Sequence, residues 1–326
     1  MSRLSEFNRI SSALIAHSNE QLQGICQQAK SLSSRTARLN FNGSAVFIKR
    51  IALTAREWHL AENKPTENLF DLPMIFHYGV GSRGFGAWRE WHCHQLATEW
   101  VLSGQSQQFP LLYDWRIFPR LSNTLLFDDL VRKTEWEAWA RDPYYGIRLE
   151  ELQQAPAELV LFLEYIPQRL SDYIHTDNFP ILFEKLLPLG EFMQSKAFIH
   201  FDAHFENILT DGNEIYLSDF GLALSNTFAL ARDEREFFEN HRLFDRYFII
   251  LNYLHAMAKP RFVEERTWVD LPEVCPDQGA WARAYWPLGR CLDQFYRKLY
   301  QGNIHAVYPR DELARLDQAA TRQLSS

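Results

Sequence analysis

The sequence predicts an α+β fold, with antiparallel strand patterns prominent in the first half and helical patterns in the second. Three stretches carry the prediction. Residues 35–51 form two alternating runs on either side of Asn42-Gly43, a pair favoured in two-residue hairpin turns because both positions tolerate positive φ. Residues 208–210 and 214–218 repeat the signal on a smaller scale across Asp211-Gly212. Beyond residue 225 the spacing turns helical, over 233–257 and 278–300, with Pro260 between.

The remaining elements follow in chain order. After the first hairpin, 87–104 has helical spacing and leads into an apolar strand over 109–118. A charged, Trp-rich insertion covers about 120–156. Residues 159–167 then read as a buried strand that runs into a connector. Leu182, Leu186, Leu189 and Met193 recur at helical spacing and predict a core helix ending just before Asp202. The most apolar late segment, 247–257, contains Asn252 and His255 and is too short for the roughly 18 residues of a membrane span, so it reads as a buried helix.

Chemistry concentrates around the second hairpin. Asp202 and Asn207 stand at its start and Asp219-Phe220-Gly221 at its end, so the turn brings two carboxylates and an amide towards one point. A hard cation such as Mg²⁺ suits that set, because it takes few protein oxygens and completes its octahedron with water and phosphate.

Composition narrows the function classes. The chain has 326 residues, 46% of them hydrophobic, and a net charge of −7, so it is long enough for a substantial core and carries no basic field for nucleic acid or membrane lipid. Cys26, Cys93, Cys275 and Cys291 lie far apart, with neither zinc spacing nor a disulfide framework, as expected in a reducing compartment. The polar N-terminal run lacks the apolar core of a signal peptide. The expectation is a cytoplasmic protein with no nucleic-acid or membrane partner.

The Asp202 segment resembles protein kinases, whose H-R-D-x-x-x-x-N and D-F-G motifs are matched by His200-Phe201-Asp202 to Asn207 and by Asp219-Phe220-Gly221. Phe201 stands where kinases have Arg, and His204 where they have Lys. The loop is therefore more similar to the H-G-D-x-H-x-x-N loop of aminoglycoside and other small-molecule phosphotransferases. Val46-Phe47-Ile48-Lys49 resembles the strand that carries the phosphate-binding lysine, and 159–167 resembles the hinge whose backbone holds adenine, with Leu163 at the back of the pocket. Over roughly residues 20–260 the chain is similar to a bacterial family described only as protein-kinase-like.

That resemblance implies a two-lobed fold, a small antiparallel-sheet lobe over residues 1–163 and a larger helical lobe over 164–326, with ATP and Mg²⁺ as cofactors and a hydroxyl acceptor on a protein or a small molecule. Lys49 would bind phosphates, Glu164 and Ile166 would bind adenine, Asn207 and Asp219 would hold the metal, and Asp202 would take the acceptor proton. His204 would touch the γ-phosphate or support Asp202, and His200 would brace the loop. Lys49 needs a carboxylate partner from a nearby helix; of Glu57, Glu62 and Glu90, the last is preferred because its helix precedes the 109–118 strand.

The glycine loop departs most from the kinase pattern. No glycine lies in 29–37, where Ser31, Ser33 and Ser34 are left to turn, whereas Gly79, Gly81 and Gly84 follow the lysine and read either as a connector into the Glu90 helix or as a mobile loop that touches phosphate or acceptor. No A-P-E segment follows Ser225, so control by activation-loop phosphorylation is not expected. A protein Ser/Thr kinase is the first reading, a small-molecule kinase the second, and a nucleotide-binding pseudokinase scaffold the third.

Overall fold

The computed structural model describes residues 2–79, 84–120, 143–173, 179–258 and 279–325. Gly81, Pro260, Cys275 and most of the 120–156 insertion lie outside the described residues. In chain order the elements are α1 (Arg3–Ile15), α2 (Asn19–Cys26), β1 (Lys30–Ser31), β2 (Thr36–Phe41), β3 (Ser44–Leu53), α3 (Ala55–His59), a 3-10 turn (Met74–Tyr78), α4 (Ala87–Leu102) and β4 (Leu112–Pro119). They continue with α5 (Pro143–Gln153), β5 (Ala157–Glu164), β6 (Gln168–Arg169), α6 (Leu170–Tyr173), α7 (Phe179–Ser195), β7 (Phe198–Ile199), β8 (Ile208–Thr210), β9 (Ile215–Leu217) and β10 (Leu224–Ser225). Four helices end the chain: α8 (Arg232–Asn240), α9 (Phe244–Ala258), α10 (Gly279–Tyr300) and α11 (Arg310–Ser325).

The expected α+β class is borne out. Five antiparallel strands lie in the order β1-β2-β3-β5-β4. Asn42 and Gly43 take φ of 50° and 81° between β2 and β3, as a primed hairpin turn requires. β5 is buried along almost its whole length because both of its faces are covered. Val160 and Phe162 join Ile10, Leu14, Val46 and Ile48 in the main core, whereas Leu159, Leu161 and Leu163 pack with Leu53, Ala87 and Trp88. Side chains alternate between faces along a strand, so burial of Val46 and Ile48 turns Lys49 to the face where α4 lies.

Two predicted elements are corrected. Asp211-Gly212 is not a two-residue turn: Thr210 pairs with Ile215, leaving 211–214 as a four-residue loop. The Asp211 carboxylate shapes it by accepting the N–H groups of Asn213 (2.9 Å) and Glu214 (2.8 Å). The single helix expected over 233–257 is two, α8 and α9, parted at residues 241–243. There the His241 ring bonds the Phe237 carbonyl at 2.6 Å and lies between Phe237 and Tyr308, with centroids 3.9 and 4.3 Å away, and these contacts accompany the break.

The helices behind the Asp202 loop are held by polar ties as well as apolar packing. Arg246 of α9 donates two hydrogen bonds to Asp317 of α11, and His255 of α9 faces Asp293 of α10 at 3.1 Å. Among the described residues no helix is long and apolar enough to cross a membrane.

Candidate functional site

Lys49 reaches from β3 to two carboxylates. Its ammonium lies 2.5 Å from Glu90 Oε1 on α4 and 2.8 Å from Asp219 Oδ1 just beyond β9. The predicted choice of Glu90 agrees with this geometry. Glu57 is engaged elsewhere: its carboxylate accepts from Thr54 N–H and Oγ1 as a helix cap and from the Ala87 N–H at 2.7 Å. Burial disfavours the Lys49 ammonium, which is 13% exposed, but Asp219 and Glu90 more than offset it and hold the lysine above its ordinary range. Partial desolvation would raise the Asp219 carboxyl, but the same contact with Lys49 keeps it well below the carboxylate range.

Asp219 is held in a left-handed conformation, φ 65°, that costs a non-glycine residue about 1–2 kcal/mol. Phe220 locks it there, packed edge-on between His94 and His200 at 4.7 and 5.4 Å. Burial pushes His94 down to about 3 and His200 down to about 4, so both rings are neutral. His200 accepts the Asp202 N–H through Nδ1 and donates from Nε2 to the Ser218 carbonyl at 3.0 Å, which is the bracing role expected of it.

The Asp202 loop is strained at a second point, because Phe201 also has φ 65°. Asp245 at the start of α9 compensates: its Oδ2 accepts the His200 N–H at 2.7 Å and its Oδ1 the Phe201 N–H at 2.9 Å. Burial pushes the Asp245 carboxyl up to about 7, partly offset by these two donors. Strained backbone held by a buried carboxylate is the kind of arrangement found at functional sites. Sequence reading missed Asp245, a single acid in an apolar helix 43 residues past Asp202.

Asp202 and Asn207 meet as predicted. Asn207 Nδ2 donates to the Asp202 carboxylate at 2.8 Å and to its carbonyl at 3.0 Å. His204 Nε2 lies 3.4 Å from Asp202 Oδ1. Burial raises the Asp202 carboxyl, opposed by His204 and reinforced by Asp219, which moves it towards the range of a useful proton acceptor.

Gly79 and Gly84, from the segment read as either a connector or a loop at the site, lie against this cluster. A methyl at Gly79 would stand 3.6 Å from Asp202 Oδ1, and one at Gly84 would run into the Gly221 carbonyl oxygen. Gly84 also has φ 74°, so Gly84→Ala combines backbone strain with a collision against rigid backbone. It should lower unfolding free energy by about 2 kcal/mol or more in denaturant titration. Gly24→Ala, in α2 with nothing within 4 Å of the added methyl, should instead stabilise by about 0.5–1 kcal/mol. Equal behaviour of the two variants would show that the Gly84 contact is not tight.

The turn between β1 and β2, at residues 32–35, takes the place expected for a phosphate flap beside Lys49, since Thr36 pairs with Lys49. Ser33 Oγ closes it by accepting the N–H groups of Arg35 and Thr36. Arg35 leaves this turn to line a cleft of about 200 Å³ shared with Lys49, Glu90, Arg148, Asp202 and Asp219. Neither arginine was anticipated.

At the predicted adenine end, the Glu164 carboxylate is clamped by Arg3 of α1 at 2.6 Å and accepts the Leu111 N–H at 3.1 Å, while its own N–H donates to the Leu111 carbonyl. Ile166 lies half-buried in the connector 165–167.

No cluster of three or more His, Cys, Asp or Glu side chains is gathered for a metal among the described residues. A Mg²⁺ site does not need one, because phosphate and water supply most of its ligands. With Asp219 Oδ1 on Lys49 and Asn207 Nδ2 on Asp202, the donors that suit such an ion are the other Asp219 oxygen, on a side chain 50% exposed, and the Asn207 amide oxygen. Comparison with models of known protein families and with curated proteins returns no match.

Proposed function

We propose that the chain is an ATP- and Mg²⁺-dependent phosphotransferase with a two-lobed protein-kinase-like arrangement, moving the γ-phosphate to an acceptor hydroxyl. The observation that carries the reading is the convergence of Lys49, Glu90, Asp219, Asn207 and Asp202 from β3, α4 and the two ends of the β8–β9 hairpin. In this mechanism Lys49 binds the nucleotide phosphates and Glu90 fixes its ammonium. Asn207 and Asp219 hold Mg²⁺, whose role is to neutralise charge on the phosphoryl oxygens. Asp202 orients the acceptor hydroxyl and takes its proton as the new oxygen–phosphorus bond forms and ADP leaves. Positioning and electrostatics account for the rate, since the transferred group passes through a loose transition state.

The acceptor reading preferred from the sequence is a protein Ser or Thr hydroxyl. A small-molecule acceptor is the second reading, supported by the His204 contact to Asp202 and by the modest volume of the cleft. Incubation of the purified protein with γ-labelled ATP, Mg²⁺ and a cell lysate, followed by separation of protein from metabolite fractions, distinguishes the two. Nucleotide binding with label transferred to neither fraction, and no ATP turnover, would support the scaffold reading instead.

The Lys49 pairing provides an independent check. Lys49→Met and Glu90→Gln should each lower turnover, and the double variant should be little worse than Lys49→Met alone, because the residues act as one unit joined by a charge-assisted hydrogen bond. Multiplicative losses in steady-state kinetics would show that they act independently.

A further inference from the structure

We infer that the cleft contains a second anion subsite, built from Arg148 and Arg35 beside the start of α4, that binds a phosphate or carboxylate group carried by a small acceptor alcohol. This rests on the phosphotransferase reading above. Arg148 comes from α5, in the segment joining β4 to β5, and is 3% exposed. Its Nε donates to the Gly84 carbonyl at 3.0 Å, but its Nη1 is buried with no hydrogen-bond partner. The nearest carboxylate, Glu57, is 3.9 Å away and already accepts from Thr54 and Ala87. A buried guanidinium with an unmet donor is costly, and an anion in the cleft it lines would meet that donor.

Three further features place the anion. Arg35 lines the same cleft from the β1–β2 turn. Gly86 and Ala87, where the 16-residue α4 begins, form another part of its wall, but Glu57 already takes the Ala87 N–H, so the positive charge comes from the two guanidinium groups. The charge of Lys49 is already matched by Glu90 and Asp219, which leaves the arginines for a different group. The wall also includes Asp202, Gly79 and Leu222 but none of residues 163–166, so the subsite lies at the transfer end of the cleft and away from the predicted adenine end. An anion held there belongs on the acceptor, and it would hold the acceptor beside Asp202.

The test uses inorganic phosphate as the probe, titrated calorimetrically into the full chain already saturated with Mg²⁺ and a non-hydrolysable ATP analogue. Wild-type protein should bind it, and Arg148→Met should bind it at least about tenfold more weakly, the scale of one charge-assisted hydrogen bond, while nucleotide affinity stays within about twofold. Arg148→Lys should fall between them, and it carries the test if circular dichroism shows Arg148→Met unfolded. A parallel titration with acetate separates phosphate from carboxylate recognition. Equal phosphate binding by wild type and the arginine variants, or no binding by any of them, overturns the subsite. Loss of nucleotide affinity in its place would assign Arg148 to the nucleotide phosphates and overturn the acceptor assignment. If wild type bound no nucleotide, the phosphotransferase reading would fail, whereas the phosphate titration without nucleotide would still decide whether the subsite exists.

Discussion

Asp219→Ala should lower ATP turnover by more than about 10³-fold while far-UV circular dichroism stays unchanged. The substitution removes one proposed metal ligand and one of the two carboxylates on Lys49, so under the phosphotransferase reading phosphoryl charge would lose several kcal/mol of stabilisation at once. Lys49 keeps Glu90 at 2.5 Å, which is why the fold should survive. Mg²⁺ titration of nucleotide binding gives the specific readout, because the variant should lose the metal-dependent part of its affinity. Wild-type metal dependence in Asp219→Ala would remove this residue from the metal site.

Asp202→Asn should separate binding from transfer. Its carboxylate accepts from Asn207 Nδ2 and lies 3.4 Å from His204; the amide oxygen of the variant can still accept from Asn207, so the proposed metal ligand keeps its orientation and affinity for Mg·ATP should stay within about twofold. Transfer should fall by about 10²-fold or more, the usual contribution of a positioned acid or base. Equilibrium binding of a fluorescent ATP analogue and single-turnover transfer, measured on the same preparation, check the two halves. Equal losses in both would mean that Asp202 serves nucleotide or metal binding and not the acceptor hydroxyl.

The parts of the site that the sequence revealed are those written in short local patterns. Asn42-Gly43 placed the hairpin, the hairpin placed Lys49, and the spacing of Asp202, Asn207 and Asp219 predicted a convergence that the fold brings about. Glu90 was chosen by its helix's position before the β4 strand, a weaker clue that agrees with the geometry. What stayed hidden depends on contacts between distant segments. Nothing around Asp245 marks it as the acceptor for two strained backbone amides, and nothing in the 120–156 insertion singles out Arg148 from its other charged residues. The constraint on Gly84 was not legible because it comes from the Gly221 carbonyl, 137 positions away in the chain. Asp211-Gly212 misled for the opposite reason: a local turn signal was overridden by the Asp211 side chain, which captured two amides and lengthened the loop.

The pairing of β3 with β5 joins Val46 to Glu164 and Leu53 to Ala157, across more than a hundred intervening residues. A ribosome adding about 5–20 residues per second therefore completes the β2–β3 hairpin on the order of ten seconds before its central partner is made. Throughout that interval β3 is an exposed edge, with the apolar alternation of Val46 and Ile48 beside a row of unpaired amides, the kind of surface that recruits other chains. Lys49 and Arg50 interrupt the apolar run on that edge, as charged residues that limit aggregation of hydrophobic strands do. The residue proposed to bind phosphate in the finished protein would thus guard the nascent one against aggregation, and Lys49→Met should lower the yield of folded protein during rapid synthesis as well as its turnover.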